Sequence, residues 1–157
     1  MSSGVDAARF RQLLGRFATG VSVLTARDAR GEPQGMTASS IASVSLDPPL
    51  LLVAVDHAND MHDAMLGATH FAVSILAADQ EALARAFAAE APNRFDGVGY
   101  RENRHGIPLL DGALAHIECV KHAEVPGGDH TVFIGLVIGG EVTERRPLLY
   151  FRGGYGL

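Results

Sequence analysis

Five hydroxyl side chains, Thr37, Ser39, Ser40, Ser43 and Ser45, fall within nine residues of the stretch GMTASSIASVSLDPPLLLVAVD. Short hydroxyls and the backbone N–H groups beside them can hold an anion, or the polar edge of a ring, without any fixed charge. Ala38, Ala42 and Ala54 are small enough to let a flat ring lie close to the backbone. The same hydroxyls could equally cap turns in a polar loop that enters a strand. Spacing alone leaves both readings open.

Other chemistries have weaker footings. The seven histidines, His57, His62, His70, His105, His116, His122 and His130, form no HExxH and no tight Cys/His cluster, so no metal centre is expected. No GxSxG elbow presents a serine nucleophile. Cys119 sits in the alternating run AHIECVK and reads as a small core residue. There is no GxxxxGK[ST] and no GxGxxG between a strand and a helix, so a nucleotide would not be held by a P-loop or Rossmann turn.

The elements that must position these groups are legible from periodicity. Phe10, Leu13, Leu14 and Phe17 recur at three and four residues, predicting an amphipathic helix over 6–18, with Asp6 near its start and Gly20 ending it. The alternating run 21–26 predicts a strand, and the polar turn RDARGEPQG leads it by a hairpin into the hydroxyl stretch. Pro48-Pro49 must interrupt any ladder, after which 50–55 reads as a central strand buried on both faces. A short helix over 59–67, a strand over 70–76 and a helix over 79–90 capped by Asp79 follow. Residues 91–112 read as a loop, and three strands near 113–124, 130–143 and 147–151 close the chain. Hairpin-like connections favour an antiparallel sheet or small barrel, mainly β with flanking helices, over a doubly wound fold.

The 157 residues suit one domain spanning 1–157, and 47% hydrophobic with 20% charged residues is a globular composition. A net charge of −5, with Lys121 the single lysine, argues against nucleic acid as a partner. No apolar run reaches the length of a membrane helix, and the start MSSGVDAARF has no basic-then-apolar pattern. With one cysteine and so no intrachain disulfide, a cytoplasmic protein is expected.

Five separated segments then occur in a telling order: FRQLLGRFATGVSVLTA, GMTASSIASVSLDPPLLLVAV, HFAVSILAADQEALARAFA, GDHTVFIGLV and PLLYFRGGY. Together they cover nearly all of the chain, from about Phe10 to Tyr155, and resemble the flavin reductase-like family, the small reductase components of two-component flavin-dependent monooxygenases. The resemblance implies a Greek-key split β-barrel assembled as a homodimer. It implies reduction of free FMN or FAD by NADH, with NADPH a possible donor, and transfer of the reduced flavin to a separate monooxygenase.

Carried over by position, the resemblance implies that Met36, Thr37, Ala38, Ser39 and Ser40 contact the flavin, Thr37 and Ala38 at the ring edge and the two serines toward the ribityl chain or phosphate. The strand carrying Val53 and Ala54 would pass under the ring. Asn59 and Met61 stand where relatives place phosphate-binding hydroxyls; Asn59 can donate and Met61 cannot. Arg85 and Phe87 match a segment near the flavin tail. His130 matches the position beside the nicotinamide, as the candidate catalytic residue. Arg152 and Tyr155 match a segment bordering the pyridine-nucleotide site. Ser74 replaces an Asn common in the family. Hydride transfer from nicotinamide to flavin needs binding and orientation more than acids or nucleophiles, so the missing triads and metals agree with it. They agree as well with a non-catalytic flavin-binding barrel serving as sensor, store or electron-transfer module, and with a barrel that has no cofactor.

Overall fold

The computed structural model describes residues 3–156. In chain order the elements are α1 (Ala7–Leu14), β1 (Thr19–Gly20), β2 (Ser22–Arg27), β3 (Pro33–Ala38), β4 (Ile41–Ser45), β5 (Leu50–Asp56), α2 (Asp60–Gly67), β6 (His70–Ile75), α3 (Glu81–Ala88), β7 (Tyr100–Glu102), β8 (Pro108–Leu110), β9 (Ala115–Gly127), β10 (His130–Val142), β11 (Leu149–Phe151) and β12 (Gly154–Tyr155). The local signals explain most of them. The Asp28 carboxylate accepts from the backbone N–H groups of Arg30 and Glu32 at 2.9 and 3.0 Å, closing the β2–β3 hairpin. Asn59 caps α2, its Oδ1 accepting from Met61 N at 2.8 Å.

Seven strands form one antiparallel sheet in the order β3-β2-β6-β9-β10-β5-β4. Its two edge strands, β3 and β4, are joined by only two residues, Ser39 and Ser40. So short a connector forces the sheet to curl until its edges meet at that point. No ladder pairs β3 with β4 among the described residues, so the curl stays open along a seam. This is the expected mainly β split barrel with flanking helices.

The core fills the curl. Leu24, Val53, Val55, Met61, Met65, Phe71 and Phe133 are buried together, α2 closing one side. A second cluster of Val21, Val23, Leu76, Phe87, Leu110 and Leu148 lies under α3. Each such side chain stabilises by about 1.5–3 kcal/mol on leaving water. Gly135 has no alternative: a Cβ there would stand 2.5 Å from Phe71 Cζ.

Several expectations are corrected. The first helix ends at Gly15, not Gly20, because the Gly15 carbonyl accepts from Arg152 N at 3.0 Å rather than from a further turn. None of its residues is buried; Phe10, Leu13, Leu14 and the following Phe17 are exposed. The N-cap position of α3 is Gln80, not Asp79, since the Gln80 carbonyl accepts the first helical bond, from Ala84 N at 3.0 Å; the Gln80 side chain makes no cap bond, its Oε1 accepting instead from Ala77 N. The hydroxyls 41–45 lie in strand β4, not in a loop, and β5 is one strand from the edge with a half-buried second face (Leu50, Leu52, Ala54). The 91–112 segment holds the β7–β8 hairpin. Two buried hydroxyls pin that hairpin: Thr25 donates to Pro108 O at 2.7 Å, and Ser74 accepts from Leu110 N at 3.2 Å. The latter accounts for serine at position 74.

Candidate functional site

The hydroxyl stretch occupies the seam, and two of its hydroxyls are already engaged. Ile41 lies opposite Val53, which places Ser40 opposite Ala54. There the Ser40 hydroxyl donates to Ala54 O at 2.9 Å and accepts from Ala54 N at 3.2 Å, doing the work of a ladder pair. Thr37 donates its hydroxyl to Ala84 O at 2.6 Å, fastening β3 to α3. Ser39 is exposed, and its hydroxyl has no partner among the described residues. Both readings of the cluster therefore have a share. Thr37 and Ser40 hold the backbone, and Ser39 is left available to a ligand.

Around this point the backbone itself is exposed for binding, because β3 is an edge strand. Ala38 is buried and Met36 half-buried against the core. On the other side of the seam, Val53 is fully buried while Ala54 is half-buried, so only Ala54 can meet a ring.

Arg85 stands next to Ala84 on α3. Its Nε is 3.1 Å from Glu81 Oε2, and its guanidinium lies 4.9 Å from the centroid of Tyr155. Tyr155 in turn packs edge-on against Tyr150 at 5.3 Å. Burial, with Tyr150 adding, raises the Tyr155 phenol above its ordinary pKa, so its O–H remains a donor. Two residues seventy positions apart in the sequence thus form one cationic corner. Arg152 occupies the tight turn between β11 and β12 with φ of +55° and an exposed side chain whose guanidinium is 5.7 Å from Phe151. Phe87, by contrast, is 1% exposed. Its ring fills the space over Gly35, where a Cβ would come within 2.8 Å, and packs edge-on to Phe95 at 5.0 Å. It walls the site from inside and has no surface for a ligand.

At the far end of β5, His130 pairs in register with Asp56. His130 Nδ1 is 2.7 Å from Asp129 Oδ1. A carboxylate only accepts, so Nδ1 carries the proton, and Nε2 is left as an acceptor. The same hydrogen bond, with the charge of the ring, holds the Asp129 carboxyl below the usual carboxylate range. Asn59 sits just beyond β5, its carbonyl spent on the cap and its amide N–H groups without a partner among the described residues. Met61 is buried in the core, so the apolar residue there faces inward.

A line of contacts therefore runs from Tyr155 through Arg85, Ala84 and Thr37 to the Ser39–Ser40 connector, and from Ala54 along β5 to His130. Sequence reasoning missed Asp129, and also His57, His62 and Thr131, which meet beside it. Only adjacency to His130 could have signalled Asp129, and nothing local links 57 and 62 to 131. The donor set is hydroxyls, edge-strand amides, small residues and one cation. Such a set fits a flat, largely neutral ring bearing one anionic arm.

The flavin reductase like domain family model matches residues 14–156. The FMN reductase (NADH) SmoA of Agrobacterium fabrum is 40% identical over 153 residues, 98% of this chain and 87% of that protein. The reductase subunit HsaB of a flavin-dependent monooxygenase from Rhodococcus jostii is 38% identical over 155 residues, 98% of this chain and 79% of that one. The solved structure of the Streptomyces globisporus NADH:FAD oxidoreductase SgcE6, in complex with NAD and FAD fragments, superposes with a TM-score of 0.92 at 40% identity, covering 99% of this chain and 96% of that one.

Proposed function

This chain belongs to the flavin reductase-like domain family and is an NAD(P)H-dependent flavin reductase that supplies reduced flavin to a separate oxygenase; we propose that the seam between β3 and β4 is where it holds the flavin. The observation that carries this placement is the exposed Ser39–Ser40 connector, which joins the unpaired edges β3 and β4 and is anchored to β5 by the Ser40 hydroxyl on Ala54.

When bound, nicotinamide and flavin would supply the chemistry between them, the one giving a hydride that the other takes up. The chain's task is to stack them with the reacting atoms roughly 3–3.5 Å apart. Edge-strand amides of β3 and the Ser39 hydroxyl meet the polar edge of FMN or FAD, and Ala54 lets the ring lie flat. Arg85 takes the anionic arm, with the Asn59 amide on the opposite side. His130, oriented by Asp129, accepts at Nε2 from the N–H of the NADH carboxamide. Arg152 and Tyr155 border the pyridine nucleotide. With one cation at the phosphate end, flavin is held as a substrate and released.

The same reading makes the protein a single-domain cytoplasmic homodimer. No helix among the described residues is long and apolar enough to cross a membrane. The exposed apolar face of α1 supports the dimer. So does a groove of about 650 Å³ lined by Ile41, Leu50, Val137 and Val142, since an eight-residue helix needs a surface to pack on.

The test is NADH oxidation by the purified protein, in air, with and without added FMN or FAD. Saturable oxidation that requires added flavin is expected. Oxidation with neither flavin, or independent of flavin, overturns the reading.

A further inference from the structure

Three polar side chains join α2 to β10, and none has a part in the site described above. Thr131 Oγ1 lies 2.7 Å from His62 Nε2 and 3.2 Å from His57 Nε2. The two rings meet edge to face at 4.8 Å, and His62 also lies 6.1 Å from Phe133. Thr131 is 9% exposed, so the hydroxyl works out of bulk water. A threonine hydroxyl has one hydrogen to give. With both rings neutral it donates to one imidazole and accepts from the other, and all three partners are satisfied by a single arrangement.

This arrangement joins two segments that matter. His57 and His62 bracket Asn59, the cap of α2, and the His57 N–H donates to Asp129 O at 2.9 Å. Thr131 directly follows His130. Successive side chains on a strand face opposite sides, so Thr131 points in toward α2 while His130 points out. One inward hydroxyl thus fixes the start of α2 against the start of β10.

We propose that Thr131 and His62, aided by His57, are positioning residues that hold the flavin-side segment at Asn59 and the nicotinamide-side segment at His130 in fixed relation. The proposal rests on the flavin reductase reading given above. If the link works this way, cutting it changes ligand binding and turnover together, beyond any loss of stability.

Thr131→Val removes the oxygen and keeps the shape, and Thr131→Ser keeps the oxygen. His62→Leu removes the ring nitrogen, and His62→Gln keeps a polar group near the place of Nε2. For each we would measure KM for flavin and NADH, kcat, FMN and FAD binding by fluorescence quenching, and thermal midpoint. Thr131→Val and His62→Leu are expected to raise flavin Kd and KM and lower kcat/KM about tenfold or more, in fully folded protein. Thr131→Ser and His62→Gln should recover most of it, and the double variant Thr131→Val/His62→Leu should be no worse than either single one. Wild-type Kd, KM and kcat in Thr131→Val and His62→Leu would overturn the proposal, whatever their melting behaviour. So would a failure of Thr131→Ser to recover. A wild-type protein that oxidises no NADH with either flavin defeats the functional reading instead, and the flavin Kd series still decides the link.

Discussion

The guanidinium of Arg85 lies 4.9 Å from the centre of the Tyr155 ring, bringing α3 against the last hairpin of the chain. Arg85 is 64% exposed and its ion pair with Glu81 is a surface one. Together the pair and the ring contact stabilise the fold by no more than about 1 kcal/mol. A phosphate bonded to the same guanidinium is worth about 1.5–3 kcal/mol. Arg85→Ala should therefore leave the thermal midpoint nearly unchanged and raise the flavin KM about tenfold or more. An unchanged KM would make Arg85 a solvated helix residue.

His130→Ala should cost NADH more than flavin. One lost hydrogen bond to the carboxamide predicts a fall in kcat/KM for NADH of about tenfold, with flavin Kd within about twofold. Steady-state kinetics at saturating flavin, beside fluorescence titration, separates the two. Unchanged turnover removes His130 from the catalytic role.

The face of α1 gives the proposed dimer a direct check. Phe10→Glu with Leu14→Glu puts charge on a surface that the chain itself leaves uncovered, so the protomer should stay folded. Light scattering is expected to show the mass of the wild-type assembly halved. An intact dimer would mean that α1 lies elsewhere than at the interface.

A stacked histidine pair makes stability depend on pH. The rings of His70 and His105 lie 3.9 Å apart at 17°. Burial, and then the neighbouring His105, lower the pKa of His70 below the ordinary histidine value of about 6.5. As pH falls through that value the unfolded chain takes up a proton the folded one refuses, so stability declines; below the folded pKa the decline levels off. The thermal midpoint should drop between about pH 7.5 and pH 5.5, and His70→Asn should flatten that drop. Parallel curves for the two proteins would rule out the pair as its source.

Cys119 should be inert in the native state. Burial, with the Glu118 carboxylate adding, pushes its thiol up to about 12. Since the thiolate is the reactive species, iodoacetamide should label the protein only once denaturant unfolds it. Mass spectrometry of native and unfolded samples decides this.

Much of the fold was legible in the sequence because its signals are local. The alternation of 21–26 and 70–76, the proline break before β5 and Asp6 at the start of α1 each concern residues within one turn or one strand of each other. The ordered motifs from Phe10 to Tyr155 added the family. What stayed hidden was decided by partners far along the chain. Thr37 and Ser40 look alike as sequence. Yet one hydroxyl ends on Ala84, 47 residues away, and the other on Ala54, 14 residues away, while the Ser39 hydroxyl between them has no partner among the described residues. Phe87 has the periodicity of a helix face, and only the missing Cβ of Gly35 shows what that face covers. The strands of the β7–β8 hairpin, three residues each, are too short to show a period, and they exist because Thr25 and Ser74 reach them through the core. Period and capping are properties of neighbouring residues, so the sequence by itself determined the elements and the family. The seam, its exposed serine and the Thr131 link depend on which surfaces the curled sheet brings together, and only the tertiary structure decided those.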